Sequence, residues 1–181
     1  YLELSEEAFA FDFNHACTGY IYGLAMAHSF ILSGLANQVL LVTADTYSKY
    51  INKGDRSTRV LFGDGAACTI VEKSNISGGI VDIILASSGK NYNKFWIPAG
   101  GMRLPKSRET SVTETDQTGN IRSQENIIMN GFEVWAFFNS AAPKQLKRLL
   151  KNKKLEKEDI DQFIFHQGSQ MILDSIVKSL K

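Results

Sequence analysis

An α/β fold built on a parallel sheet is the class this sequence predicts, and three observations predict it. A short β-type run, a long apolar helix and a continuous apolar strand follow one another within residues 9–44, the order of a βαβ unit. Strand-like and helix-like stretches then keep alternating to the last residues. The composition is that of an ordinary globular chain: 44% of its 181 residues are apolar and 22% charged, which allows a sizeable core and argues against wholesale disorder.

The elements read as follows. Phe9–Phe13 (FAFDF) is the first strand, and Tyr20–Ser33 is apolar nearly all round, the pattern of a fully buried helix, with Gly34 as its natural C-cap. Gln38–Ala44 (QVLLVTA) reads as a strand covered on both faces. Asp55–Gly65 passes from polar to apolar and ends in a glycine-flanked turn, after which Ala66–Val71 is another buried strand. Turn formers at Lys73–Gly79 mark a boundary between two halves, residues 1–75 and 76–181, and Ile80–Ala86 resumes a strand. Ser87–Glu125, rich in Gly, Ser, Thr and Asn, reads as a long functional loop with little core. Asn130 with Glu133 three residues on is a capping-box pattern opening an amphipathic helix to about Lys151. Phe163–Phe165 is a short buried strand, and Met171, Ile172, Ile176 and Leu180 form the core stripe of a last helix. The chain opens on Tyr1 rather than Met and stops before its strand–helix alternation closes, so it reads as a processed product or a fragment.

Charge and composition exclude several functions. With 20 Lys+Arg against 19 Asp+Glu the net charge is +1, which gives no electrostatic case for nucleic acid as the main partner. Two cysteines make no disulfide framework. No apolar run reaches membrane-spanning length and no signal peptide opens the chain, so a cytoplasmic, membrane-free protein is expected.

Cys17 is the first candidate for chemistry. It lies between a strand end and a helix start, where unsatisfied N–H groups and the helix dipole favour a thiolate, the form that attacks thioesters. The competing reading is a small buried core residue. Cys68, inside an apolar strand, reads as core. His15 lies two residues before Cys17, His28 reads as helix packing, and His166 closes a strand, where ligands approach an open α/β sheet and an imidazole can serve as acid, base or oxyanion donor. No CxxC or HxxxH spacing exists, so no metal site is expected. Gly63-Asp64-Gly65 lacks phosphate-loop spacing and precedes a strand, hence a structural turn. The basic run Lys144, Lys147, Arg148, Lys151, Lys153 and Lys154 complements a helix C-terminus. The sequon Asn75-Ile76-Ser77 is idle without a signal peptide.

Taken together, four segments resemble the β-ketoacyl-acyl-carrier-protein synthase III family of the thiolase superfamily. Ala10–Tyr20 (AFDFNHACTGY) resembles its nucleophile segment. Asp55-Arg56-Ser57-Thr58 with Leu61–Ala66 resembles its D-R-[SG]-T…FGDGA signature, Met129–Trp135 its M-x-G-x-E-V-[FW] helix start, and Phe165-His166-Gln167 its H-Q-A-N motif. The resemblance implies a layered thiolase-like α-β-α-β-α fold, of which the chain covers the end of the first half and the start of the second. It implies a decarboxylative Claisen condensation of an acyl-CoA with malonyl-acyl-carrier protein, through an acyl-cysteine, giving 3-oxoacyl-acyl-carrier protein, CoA and carbon dioxide. By the same resemblance Cys17 is the nucleophile and His166 the catalytic histidine. Arg56 lies along the CoA nucleotide, and Leu61, Phe62, Met129, Gly131 and Trp135 line the acyl pocket. The thioesters are substrates, no cofactor is required, and a homodimer pairs the Phe9–Phe13 strand across its two-fold axis.

The departures also matter. Ser169 stands where the family has its CoA-contacting asparagine, and Met171 where a basic residue is usual, although Lys178 keeps a basic position on that helix. The family's catalytic asparagine and glycine-rich oxyanion segment lie beyond Lys181, so this piece alone is expected to be inactive. Two other readings stay open. One is a thiolase-fold acyltransferase passing the acyl group from Cys17 to an amine or hydroxyl acceptor, and the other is an acyl-carrier-binding fragment without catalysis.

Overall fold

The computed structural model describes Glu3 and residues 5–180. In chain order the elements are a 3-10 turn at Ala16–Thr18, helix α1 (Gly19–Leu32), strand β1 (Gln38–Thr46), the single-turn helix α2 (Arg56–Arg59) and strand β2 (Asp64–Glu72). Four two-residue strands follow: β3 (Phe95–Trp96), β4 (Glu114–Thr115), β5 (Ile121–Arg122) and β6 (Ile128–Met129). Helices α3 (Gly131–Lys153) and α4 (Gln170–Leu180) follow, with further 3-10 turns at Tyr47–Lys49, Tyr92–Lys94 and Lys157–Asp159 between the elements. The residues divide into two compact units, one holding residues up to Thr43 together with Cys68–Ile83, the other Ala44–Ala67 and the chain from Ile84 on.

In the first unit α1 buries Gly23 and Ala27. Leu41 of β1 presses so closely on Gly23 that a Cβ there would lie 2.5 Å from its Cδ1, which is why a side-chain-free position sits at this contact. The helix ends as its sequence predicts: Gly34 takes φ +76°, a left-handed conformation that glycine adopts without steric cost, and donates its N–H to Ile31 O. Its other faces are exposed, Leu32 and Ile21 among them, because an apolar helix is buried only where another layer covers it. The expectation of full burial therefore holds for one stripe only.

β1 pairs with β2, and each of the two strands has residues in both units. Gln38 at the start of β1 bonds Glu72 at the end of β2, and Ser48, just after β1, bonds Asp64 at the start of β2, which is the antiparallel sense. The parallel pairing expected from the βαβ order concerned Phe9–Phe13 and β1, and β2 adds to β1 as an antiparallel neighbour. Leu41 is the one fully buried residue of β1 and none of β2 is, so both strands expected to be covered on two faces are covered on one at most. Cys68 is exposed, contrary to its reading as core. Phe9–Phe13 carries no ladder hydrogen bonds among the described residues. The Phe9 and Phe11 rings turn to the helix instead, edge-on to Phe30 at 5.5 and 6.0 Å.

The second unit has its core at Ala99, Ile127, Ile172 and Ile176. Asn130 caps α3 by accepting from Glu133 N at 3.1 Å, but its own N–H goes to Lys94 O, so the expected box closes on one side only. The helix runs through Pro143 to Lys153 and stops at Lys154, which takes φ +56°. α4 packs on α3 through Ile172 and Ile176, while Met171 of the predicted stripe is exposed. Residues 87–125 are irregular, as expected, yet they bury Ala99, Thr110, Asn120 and Ser123. Backbone bonds from Ala99 N to Gln124 O and from Gln124 N to Thr110 O, each about as short as a helix bond, order this stretch in place of long strands. Ile80–Ala86 and Phe163–Phe165 are not strands, and Ile164 is 81% exposed. No described helix is long and apolar enough to cross a membrane.

Candidate active site

Cys17 sits at a turn closed by its own neighbours. Asn14 Oδ1 accepts from Ala16 N at 3.0 Å, and His15 O accepts from both Thr18 N (3.2 Å) and Thr18 Oγ1 (3.0 Å). Thr18 Oγ1 also lies 2.8 Å from His15 Nδ1, so the hydroxyl ties the ring and the carbonyl of the same residue. The imidazole also stacks on Tyr22, with ring centroids 3.7 Å apart. Ala16 takes φ +46°, a left-handed conformation that costs a non-glycine residue about 1–2 kcal/mol. Such strain collects where a side chain must be presented in a set direction. Here it leaves Cys17 exposed at the foot of α1, whose unsatisfied N–H groups favour an anion. The sequence placed His15 and Thr18 beside Cys17 without assigning them this turn-closing role. Their i, i+3 spacing around the cysteine was the available signal.

The other site residues lie in the second unit, whereas Cys17 belongs to the first. His166 is exposed and its ring lies parallel to Phe138 of α3, centroids 5.8 Å apart. A Cβ at Gly168 would stand 3.5 Å from His166 Cδ2, so the residue two positions on also bounds the ring. Ser169 caps α4, its Oγ accepting from Ile172 N at 3.3 Å. Lys178 is exposed in the last turn of α4.

Four of the five residues of the expected acyl pocket fall into two groups. Phe62 stacks between Tyr47 (5.0 Å) and Phe95 (5.5 Å), and Phe95 pairs with Met129 in the β3–β6 register. Gly131 and Trp135 line an open apolar cavity of about 400 Å³ together with Phe132 and Met171. Leu61 is exposed beyond α2. Phe95 and Phe132 join these groups without having been singled out in the sequence, and Met171, read there as part of a core stripe, lines the cavity instead. Only folding brings residues this far apart in the chain side by side.

Arg56 is exposed, but the residue before it is not: Asp55 is 0% exposed. Its carboxylate caps α2 by accepting from Ser57 N and Thr58 N, and also accepts from Ser57 Oγ (2.7 Å) and from Arg122 Nε (2.6 Å). Burial pushes the Asp55 carboxyl up, but hydrogen bonds from Arg122, Ser57 and Thr58 outweigh it and hold the group below the usual carboxylate range. Hydrogen bonds from Ser48 hold the Asp64 carboxyl low in the same way, and those from Thr118 and Asn120 hold Asp116 well below its ordinary value. Asp64, read from the sequence as part of a plain turn, thus ties the start of β2 to Ser48. No cluster of three or more potential metal ligands occurs among the described residues.

The family profile of 3-oxoacyl-[acyl-carrier-protein (ACP)] synthase III matches residues 11–89, the stretch that holds Cys17, Arg56 and the glycine turn. Over 180 residues the chain is 37% identical to a putative 3-oxoacyl-[acyl-carrier-protein] synthase 3 of Campylobacter jejuni, covering 99% of this chain and 50% of that protein. A crystal structure of a 3-oxoacyl-(acyl-carrier-protein) synthase III superposes with a TM-score of 0.95 at 38% identity, over 99% of this chain and 53% of that one. A 3-oxoacyl-(acyl-carrier protein) synthase from Burkholderia xenovorans superposes at 0.81 with 32% identity, over 99% and 49%.

These likenesses define the class: a layered α/β protein of the thiolase-like fold. Within that class the chain belongs to the β-ketoacyl-[acyl-carrier-protein] synthase III family. It spans about half the length of the curated relatives it matches.

Proposed function

We propose that the enzyme containing this chain condenses an acyl-CoA with malonyl-acyl-carrier protein. The observation that carries this reading is Cys17, held exposed at the strained turn before α1 and inside the segment matched by the family profile. In the first half-reaction the Cys17 thiolate attacks the thioester carbonyl of acyl-CoA, and the tetrahedral intermediate collapses by expelling the CoA thiolate. In the second, malonyl-acyl-carrier protein loses carbon dioxide, and the electron pair of the broken C–C bond forms a thioester enolate. Neutral His166 donates a hydrogen bond to the enolate oxygen. The enolate carbon attacks the acyl-Cys17 carbonyl, the Cys17 thiolate leaves, and 3-oxoacyl-acyl-carrier protein is released.

Arg56, exposed on a fixed stub, meets the CoA nucleotide, and Ser169 and Lys178 border the path of the CoA and carrier arm. Leu61, Phe62, Met129, Gly131 and Trp135 line the acyl pocket. No resident cofactor takes part, and the enzyme works in the cytoplasm. Residues 1–75 and 76–181 belong to two similar halves of the fold, the nucleophile in one and the histidine in the other. The enzyme is a homodimer joined along Phe9–Phe13, an extended apolar run without a ladder partner among the described residues. Sedimentation as a monomer at micromolar concentration would count against this.

The test is intact mass spectrometry of the full-length enzyme after incubation with acyl-CoA, followed by addition of malonyl-acyl-carrier protein. An acyl adduct lost on replacing Cys17, with carbon dioxide released on the second addition, is the expected result. An adduct without carbon dioxide release, discharged instead by an amine or alcohol, identifies acyl transfer without condensation. No adduct at all leaves only carrier binding.

A further inference from the structure

We propose that Asn120 and Arg122 are positioning residues for the acyl-CoA donor, holding the backbone of α2 so that Arg56 presents its guanidinium to the donor's anionic nucleotide. The inference rests on the nucleotide-binding role of Arg56 proposed above and adds the residues that set it.

A helix of four residues has no stability of its own, because nucleation costs more than one turn of hydrogen bonds returns. Its geometry must come from what surrounds it, and here the β4–β5 hairpin surrounds it. Asn120 Oδ1 accepts from Arg56 N at 3.1 Å, and Ile121 N donates to Gly54 O at 3.3 Å. Between those two contacts sits Asp55, gripped by Arg122 through Nε at 2.6 Å. Arg122 Nη2 also donates to Ser57 Oγ at 2.9 Å, so one guanidinium holds the residues on both sides of Arg56. Gly54 lets the hairpin approach: a Cβ there would stand 2.9 Å from Ile121 Cβ, an atom fixed close to its own backbone.

The hairpin side of the clamp is itself rigid. Asp116 Oδ1 accepts from Thr118 N, Thr118 Oγ1 and Asn120 N, and Asp116 Oδ2 pairs with Arg122 Nη2 at 3.3 Å. Asn120 Nδ2 donates to Thr118 Oγ1 at 2.7 Å, which sets the amide with its oxygen toward Arg56 N. Asn120 and Asp55 are both buried, whereas the Arg56 side chain is exposed. A cationic side chain on an immobilised stub loses little backbone freedom when it meets a polyanion, and that gain is realised only by a donor that carries the anion.

The experiment compares two donors in the full-length enzyme: acyl-CoA, and the same acyl group on pantetheine, which lacks the nucleotide. Asn120→Ala and Arg122→Lys are expected to raise KM for acyl-CoA about tenfold at nearly constant kcat, the size of one or two lost hydrogen bonds. Turnover of acyl-pantetheine should change less than about twofold, and Arg56→Ala should reproduce the same selective loss. Asn120→Ala deletes the acceptor without touching the Asp55–Arg122 pair, so it remains informative if the arginine variant fails to fold. Equal losses with both donors, or an unchanged KM for acyl-CoA while Arg56→Ala raises it, would overturn the proposal. If Arg56→Ala itself fails to distinguish the donors, the nucleotide role of Arg56 falls, and the proposal with it.

Discussion

Removing the Asp55 carboxylate is the sharpest probe of what holds α2. Asp55→Ala takes away the N-cap acceptor of α2, a loss of about 1 kcal/mol in comparable helices. It also strands Arg122, whose side chain is 14% exposed and whose shortest bond, 2.6 Å, is to Asp55. Breaking one side of a buried pair costs about 3–5 kcal/mol. Asp116, 3.3 Å from Arg122 Nη2, remains to share the charge, which brings the figure toward the lower end. The sum is about 4 kcal/mol, read as a fall in urea midpoint at unchanged slope for the full-length enzyme.

Two further readings belong to the same experiment. Asp55→Ala/Arg122→Met removes both charges and should recover most of the loss, because a buried pair exchanged for apolar groups is nearly neutral. The Asp55 carboxyl is held below its ordinary value, so its contribution is present above the unfolded pKa near 4 and is lost as pH falls through the lower folded value. The gap between wild type and Asp55→Ala should therefore close below about pH 4. A cost under about 1 kcal/mol, or a double variant as unstable as the sum of the singles, would refute the assignment of the pair as the clamp on α2.

Cys17→Ala and Cys17→Ser are each expected to abolish the covalent acyl-enzyme seen by mass spectrometry, since a serine hydroxyl lacks thiolate character at neutral pH. His166→Ala should leave acylation of Cys17 intact and slow condensation by about 10²–10³-fold, measured as carbon dioxide release, the effect of one oxyanion-type donor. Ser169→Ala should cost about 1 kcal/mol in thermal or urea unfolding by uncapping α4, whereas Ser169→Asn, which can also cap, should be close to neutral. Gly23→Ala should destabilise by about 1–3 kcal/mol in the same assay, because the new Cβ meets Leu41 Cδ1 at 2.5 Å and the α1–β1 contact must open.

What the sequence determined by itself was local. The limits of α1 and α4, the Asn130 cap of α3, the left-handed Gly34 and the irregularity of residues 87–125 all follow from residues a few positions apart, where period, caps and breakers act directly. The nucleophile segment was legible for the same reason: Asn14 through Thr18 close their turn with their own hydrogen bonds. Strands were misjudged, because an apolar run such as Phe163–Phe165 is a strand only if another segment pairs with it, and sequence spacing does not say which segment will. Burial was misjudged likewise at Cys68 and along β2, since hydropathy measures the tendency to be covered and not the cover itself. The clamp on Arg56 lay furthest from reach. Asp55 and Arg122 are 67 positions apart, each an ordinary surface charge by composition, and only the tertiary fold that buries one against the other turns them into a single device.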